Sequence, residues 1–244
     1  MTEPPRRRAL VVQHTPGEGP GTLARWLPAA GLDLDVVRPY AGDTLPERVT
    51  GHDALIVLGG PQQAYDDGSA PWLRATKDLL AAAVEDDVAV LGICLGAQLL
   101  AEATGGVVEP GENGPEIGAR LVAKRDAAGV DPLAWDTPMS WICVQWHWDA
   151  ITELPPGATL LASSTRYPHQ MFRVGERAWG MQFHIEPTAE ILTRWATEEG
   201  VPDALLERSL AELPEVEDLW EPVLARFAAV VRGEDPRPKP LPMA

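Results

Sequence analysis

Short runs of uninterrupted apolar residues punctuate the first half of the chain: ALVVQ at 9–13, ALIVL at 54–58 and VAVLG at 88–92. Runs of four or five Val, Ile, Leu and Ala residues read as strands buried on both faces. A shorter strand is expected at 34–37. Between these runs the pattern lengthens to a helical period over 21–30, 71–85 and 95–104. Thr22 is placed to cap the first of these helices, and Pro71 suits the first turn of the second. Apolar strands joined by helical crossovers predict an α/β fold: a doubly wound, mostly parallel sheet flanked by helices. In such a fold, sites lie beyond the carboxyl ends of the strands.

The second half reads differently. Extra short strands are expected at 117–123, 141–147, 159–162, 171–174 and 179–183, a tight loop at Pro155-Pro156-Gly157, and a helix over 190–198. From about 200 the apolar residues Val216, Leu219, Trp220, Val223, Leu224, Phe227, Val230 and Val231 recur at helical spacing. Pro222 should kink that helix or mark its first turn. The stripe has two readings: a terminal helix docked on its own core, or a docking face for a partner subunit. Residues 233–244 carry four prolines and are expected to be disordered. The organisation is therefore a domain over 1–199 and a helical extension with a proline-rich tail over 200–244.

Length and composition narrow the class. The 244 residues, 45% hydrophobic and 23% charged, suit a soluble globular protein. The apolar runs fall far short of the roughly 20 residues a membrane span needs. The apolar run after the basic start is too short for a secretion leader, so a cytoplasmic location is expected. A formal net charge of −16 argues against nucleic acid or an anionic membrane as partner. Two cysteines do not make a disulfide scaffold, and five scattered histidines give no zinc spacing. Neither metal nor cofactor is expected.

The chemistry concentrates at GICLGAQLL, 92–100. A strand ends, Cys94 occupies the turn, and a helix follows, with Gly92 and Gly96 allowing the tight turn and the close helix–strand approach. A helix amino terminus lowers a thiol's pKa and offers N–H groups to an oxyanion, that of Leu95 among them. A cysteine is often just a small buried apolar residue, which is the reading for Cys143 within WICVQW. His184, in MQFHIEPT, also follows an apolar strand, and Glu186 two residues on shares its face in an extended segment. His14 and His147 follow apolar runs as well and could line the same crevice, whereas His52 and His169 read as loop residues. LIVLGGPQ closes a strand with Gly59 and Gly60, whose N–H groups could face a developing negative charge opposite Leu95. The same residues would also serve a plain turn.

In that order, GGPQ, GICLGAQLL and FHIEP resemble the class I glutamine amidotransferases, whose patterns are GGP, G-x-C-x-G-x-Q and His-Pro-Glu. The similarity runs from about 9 to 196 and is nearest the stand-alone, GMP-synthetase-like type, which QWHWDAITELPPGATLLASS also resembles. The resemblance implies a flavodoxin-like sheet and a γ-glutamyl thioester formed on Cys94. His184 would protonate the departing ammonia and then activate water, Glu186 would orient His184, and Gly60 and Leu95 would bind the oxyanion. Gln98, Gln63, His147, Trp148 and Asp149 are implied to hold the glutamine. An ammonia-accepting synthetase is implied as partner, yet no G-x-x-x-x-G-K-[ST] loop occurs in these residues. Three departures stand out. Ile185 replaces the proline between His and Glu, Trp148 replaces a glycine, and Gln62-Gln63-Ala64 replace small residues. Trp141, Trp146 and Trp148 read either as strand packing or as an aromatic wall on the pocket.

The expected activity is cysteine-dependent hydrolysis of a γ-glutamyl amide, with glutamine ranked first as substrate. The alternatives are a γ-glutamyl peptide or conjugate hydrolase, a non-catalytic subunit of the same fold, and an unrelated cysteine hydrolase.

Overall fold

A computed structural model describes residues 6–238. Eleven strands and five α-helices follow one another: β1 (Arg7–Val12), α1 (Leu23–Ala29), β2 (Leu32–Val37), β3 (Ala54–Val57), α2 (Trp72–Glu85), β4 (Ala89–Ile93), α3 (Leu95–Ala103), β5 (Val107–Pro110), β6 (Glu116–Lys124), β7 (Ser140–His147), β8 (Asp149–Glu153), β9 (Thr159–Ser163), β10 (Met171–Val174), β11 (Ala178–Met181), α4 (Ala189–Glu198) and α5 (Asp203–Val231). Nine strands form one sheet in the order β2-β1-β3-β4-β11-β10-β9-β6-β7. The β2 to β11 half is parallel and the remainder antiparallel. The doubly wound α/β reading of the sequence is the fold observed.

Alternation along the buried strands explains why their sequences are apolar throughout. Ala9, Val11, Ile56, Leu91 and Ile93 face one apolar cluster, which α1 and α5 complete. Leu10, Val12, Leu55, Val57 and Val90 face the other, closed by α2 and α3. Both faces are covered, so a polar residue at either parity would sit in a dry layer. The helices show the matching one-sided pattern: α2 buries Leu73, Thr76, Leu79, Leu80 and Ala83. At α4 the Thr188 hydroxyl accepts from the Ile191 N–H at 3.3 Å, an ordinary amino-terminal cap.

Several expectations need correcting. Thr22 does not cap α1; its hydroxyl donates to the Ile185 and Glu186 carbonyls instead. The strand expected over 179–183 ends at Met181. Strands β5 and β8, which pair antiparallel in a sheet of their own, were not expected. Pro222 neither ends α5 nor opens it, and the helix continues through both Pro214 and Pro222. Burial of Val216, Trp220, Val223, Leu224 and Phe227 holds it against the sheet, outweighing the roughly 3 kcal/mol cost of an interior proline. Trp220 meets Phe183 at 5.3 Å and Trp141 at 6.1 Å between ring centroids. The tail expected to be disordered is 233–244, of which 239–244 lie outside the described residues. Within the described part, Arg237 pairs with Asp235 and donates to the Val130 carbonyl at 2.9 Å. Residues 1–5 of the basic start also lie outside. Among the described residues no helix is long and apolar enough to cross a membrane.

Candidate active site

Strand β4 lies at the centre of the sheet, between β3 and β11, and its carboxyl end delivers Cys94 at the turn into α3. The residue adopts φ 50° and ψ −109°, a backbone conformation that L side chains avoid and that costs of order 1–3 kcal/mol. The turn closes because Gly96 has no side chain: a Cβ there would stand 2.0 Å from the Val57 carbonyl oxygen. Cys94 is buried, its thiol pointing to the Trp146 carbonyl at 3.7 Å. Cys143 sits in the core, where burial pushes its thiol well above the ordinary range.

His184 reaches the same place from beyond β11. Its N–H donates to the Val144 carbonyl at 2.8 Å, which ties it to β7. Its Nδ1 lies 2.6 Å from Glu186 Oε1, and both side chains are almost wholly buried. Burial opposes protonation of the ring. The Glu186 carboxylate, together with the Cys94 sulfur to which the ring is hydrogen-bonded, outweighs it and holds the imidazole's pKa well above its ordinary value. Sulfur, imidazole and carboxylate therefore meet as the sequence suggested.

Glu186 is held at three points. Oε2 accepts the Ile185 N–H at 2.9 Å. A proline at 185 has no such proton, so the departure from the family pattern adds a donor here. The Glu186 carbonyl accepts the Thr22 N–H at 2.9 Å. That approach requires Gly21, at φ +51°, where a Cβ would lie 2.0 Å from the same oxygen. The ring of Trp195 on α4 stands edge-on to His184 at 4.7 Å.

Opposite the thiol, the loop after β3 brings Gly59 and Gly60. A side chain on Gly60 would strike His14 Cβ at 2.8 Å and Leu95 Cδ2 at 2.9 Å. The N–H groups of Gly60 and Leu95 have no acceptor among the described residues, so both are available to an oxyanion.

A cavity of about 470 Å³ opens over the thiol, and Gln98, Gln63, His147, Trp148 and Asp149 all line it. They differ in freedom. Gln98 Nε2 is engaged by the Asp149 carbonyl and Gln182 Oε1, both at 3.2 Å. His147 has both ring nitrogens occupied, Nδ1 by the Asp149 carbonyl at 2.8 Å and Nε2 by Glu116 Oε2 at 3.2 Å. Gln63 is exposed and Trp148 is 46% exposed at the rim. Burial raises the Asp149 carboxyl, against the lowering effects of a hydrogen bond from Tyr65 and of His147. Of the three neighbouring tryptophans, Trp141 belongs to the core while Trp146 and Trp148 line the cavity. His14 does not line it: it lies buried under the glycine loop, Nδ1 accepting from Trp72 Nε1 at 3.2 Å, with its pKa lowered to about 4 by burial.

Sequence reasoning missed Glu18, Trp195, Glu198 and Glu199, which also line the cavity. Burial raises the Glu18 pKa to about 7; His184 works against this, while Glu186 and Glu198 add to it. No local pattern marks these residues, because they converge only through the packing of α4 against the loop after β1.

A thiol at a strand-to-helix elbow, faced by a buried imidazole–carboxylate pair, defines the layout of a triad cysteine hydrolase on an α/β sheet. Sequence comparison places it further: the chain belongs to the class I glutamine amidotransferase family, whose model matches residues 21–192. It is 33% identical to the glutamine amidotransferase-like protein YfeJ of Salmonella typhimurium, over 75% of this chain and 77% of that one. It is 34% identical to a glutamine-hydrolysing GMP synthase of Porphyromonas gingivalis, over 62% of this chain and only 28% of the synthase. It is also 29% identical to γ-glutamyl peptidase 4 of Arabidopsis thaliana, over 66% and 65% of the two chains. Among solved structures, a glutamine amidotransferase from Thermotoga maritima superposes with a TM-score of 0.82 at 28% identity, covering 91% of this chain and 98% of the other.

Proposed function

We propose that this enzyme hydrolyses γ-glutamyl amide bonds through a thioester on Cys94. The observation that carries the reading is the buried contact of Cys94, His184 and Glu186 at the mouth of one cavity. The Cys94 sulfur attacks the γ-carbonyl carbon while the Gly60 and Leu95 N–H groups take up the charge on oxygen. The C–N bond breaks as His184 hands its proton to the departing nitrogen. Water, deprotonated by His184, then splits the thioester, releasing glutamate and restoring the thiol. Glu186 fixes the ring's orientation and stabilises its charged form. Gln98 and the turn from His147 to Asp149 frame the glutamyl half. Because both His147 nitrogens are occupied, its part is to hold that turn rather than to touch the substrate.

Glutamine, giving glutamate and ammonia, is the simplest such substrate, with a synthetase partner as ammonia acceptor and the cytoplasm as the place of action. The matched part of the GMP synthase supports this. A second reading, hydrolysis of larger γ-glutamyl amides, is favoured by the cavity's extension past His184 to Trp195 and Glu198; the γ-glutamyl peptidase likeness agrees with it. The complete set of Cys94, His184 and Glu186 counts against a merely binding role.

The test is glutamate release from glutamine and from γ-glutamyl amides, with acylated Cys94 sought by mass spectrometry of the intact protein after rapid acid quench. Turnover or a trapped γ-glutamyl adduct, both lost in Cys94→Ala, is the expected result. Neither product nor adduct from any γ-glutamyl compound would refute the proposal.

A further inference from the structure

The polar residues of the cavity lining fall into two groups. In one are Gln98, His147 and Asp149, joined by hydrogen bonds around the Asp149 carbonyl. In the other are Glu18, in the loop after β1, and Trp195, Glu198 and Glu199 on α4. In the reaction proposed above, His184 gives its proton to the leaving nitrogen, so the leaving group points to His184's side. That is the Glu18 end. A methyl placed on Gly59 would meet Glu18 Oε2 at 2.5 Å and His184 Cε1 at 2.9 Å. The carboxylate and the imidazole thus border the same point.

Three carboxylates lie at this end, and the charged form of the His184 ring is the one influence that favours the ionised state of Glu18. Among the described residues no lysine or arginine lines the cavity. Arg194 of α4 pairs with Glu190 at 3.2 Å and does not line it. The half-buried Glu18 side chain has neither a hydrogen-bond donor nor an ion-pair partner among the described residues. Burial and the nearby Glu186 and Glu198 penalise its charge, which is the state a carboxylate shows when its counter-ion is missing. Ammonia as leaving group would use none of this. The free carboxylate of a γ-glutamyl dipeptide would meet repulsion. An alkylammonium would meet the Glu198 and Glu199 carboxylates, would favour the ionised form of Glu18, and would lie beside the Trp195 indole. The net charge of −16 would draw it in from solution.

We propose that the preferred substrate is a γ-glutamyl amide whose leaving amine carries a second, positively charged amine, and that Glu18, with Glu198 and Glu199 at the rim, selects that charge. The inference rests on the hydrolase reading above and narrows its substrate class. The bond changes are unchanged: water adds across the amide C–N bond, giving glutamate and the free diamine.

Three γ-glutamyl amides of matched chain length test it on the wild-type protein: the neutral pentylamide, the cationic 4-aminobutylamide and the anionic 3-carboxypropylamide, with glutamate release as readout. The expected order of kcat/KM is cationic, neutral, anionic, the first exceeding the second by about tenfold or more, as a charge-assisted contact provides. In Glu18→Gln the ratio of cationic to neutral should fall towards one. The Glu198→Gln/Glu199→Gln pair should weaken both the ratio and its dependence on salt. A cationic amide no better than the neutral one would overturn the proposal. So would a Glu18→Gln enzyme that loses the same factor on all three, since the carboxylate would then serve the common glutamyl half. Should Glu18→Gln not fold, inhibition of the wild type by 1,4-diaminobutane but not by its uncharged counterpart 1,4-butanediol sustains the proposal, and equal inhibition overturns it. Turnover without charge preference removes this inference alone. No turnover of any γ-glutamyl amide, with Cys94 unacylated, removes the hydrolase reading with it.

Discussion

Gly21→Ala is a small change far from Glu186 in sequence, yet it should disable the enzyme. Two costs combine. The residue has φ +51°, where an L side chain costs about 1–2 kcal/mol. Its new Cβ would also stand 2.0 Å from the Glu186 carbonyl oxygen. Carbon–oxygen contacts settle near 3.3 Å, so backbone on one side must retreat by about 1.3 Å. The displaced atoms belong to the residue that orients His184, and a misplacement of about 1 Å at a reacting group costs roughly a hundredfold. Gly157→Ala isolates the first cost, since its φ is +77° and a Cβ there meets nothing within 4 Å. Both variants should melt lower than wild type, Gly21→Ala by more because the clash adds to the strain. Only Gly21→Ala should lose kcat for glutamate release, by about a hundredfold. If Gly21→Ala keeps a kcat within about threefold of Gly157→Ala, the idea that the Thr22–Glu186 contact positions the carboxylate is wrong.

Ile185→Pro should cost about 1.5–3 kcal/mol through the lost donor to Glu186, read by urea unfolding. Ile185→Val, which keeps the N–H, should cost about 0.5–1.5 kcal/mol, and equal losses would refute the role given to that hydrogen bond. His14, with its pKa lowered from 6.5 to about 4, should make the fold acid-sensitive. Between those values the unfolded chain binds the extra proton, so stability falls as pH drops from 6.5 towards 4, by about 3 kcal/mol in all. Glu18, raised from 4.5 to about 7, acts in the opposite sense, so the measurement is the difference between wild type and His14→Gln across that range. Parallel stability curves would show that His14 does not titrate as its burial requires.

The inner strands β3 and β4 and the buried end of β1 were legible because both of their faces are dry, which leaves an apolar signature without gaps. Cys94, His184 and Glu186 were legible for a related reason: each follows such a strand, and strand ends in this topology open on one crevice. β5 and β8 left no such mark. VVEP and DAITE are short and half-exposed, and what makes them strands is their register on each other. Pro222 does not mark the first turn of a helix, because burial of Trp220 and its neighbours carries α5 through it. Glu18, Gly21 and Thr22 precede α1 and carry no chemical pattern. Their importance depends on where the segment after β11 comes to rest, which neighbouring residues in the sequence do not encode.

The aromatic contact between Trp220 and Phe183 has an implication for anyone wishing to trim the chain. Phe183 is the residue immediately before His184, and the indole that braces it comes from the carboxyl-terminal helix. Cutting at residue 199 would therefore do more than shorten a peripheral tail, because it would take away the wall against which the backbone leading into His184 leans. In the mechanical sense, the foundation of the reaction centre lies in the part of the sequence that looks most dispensable.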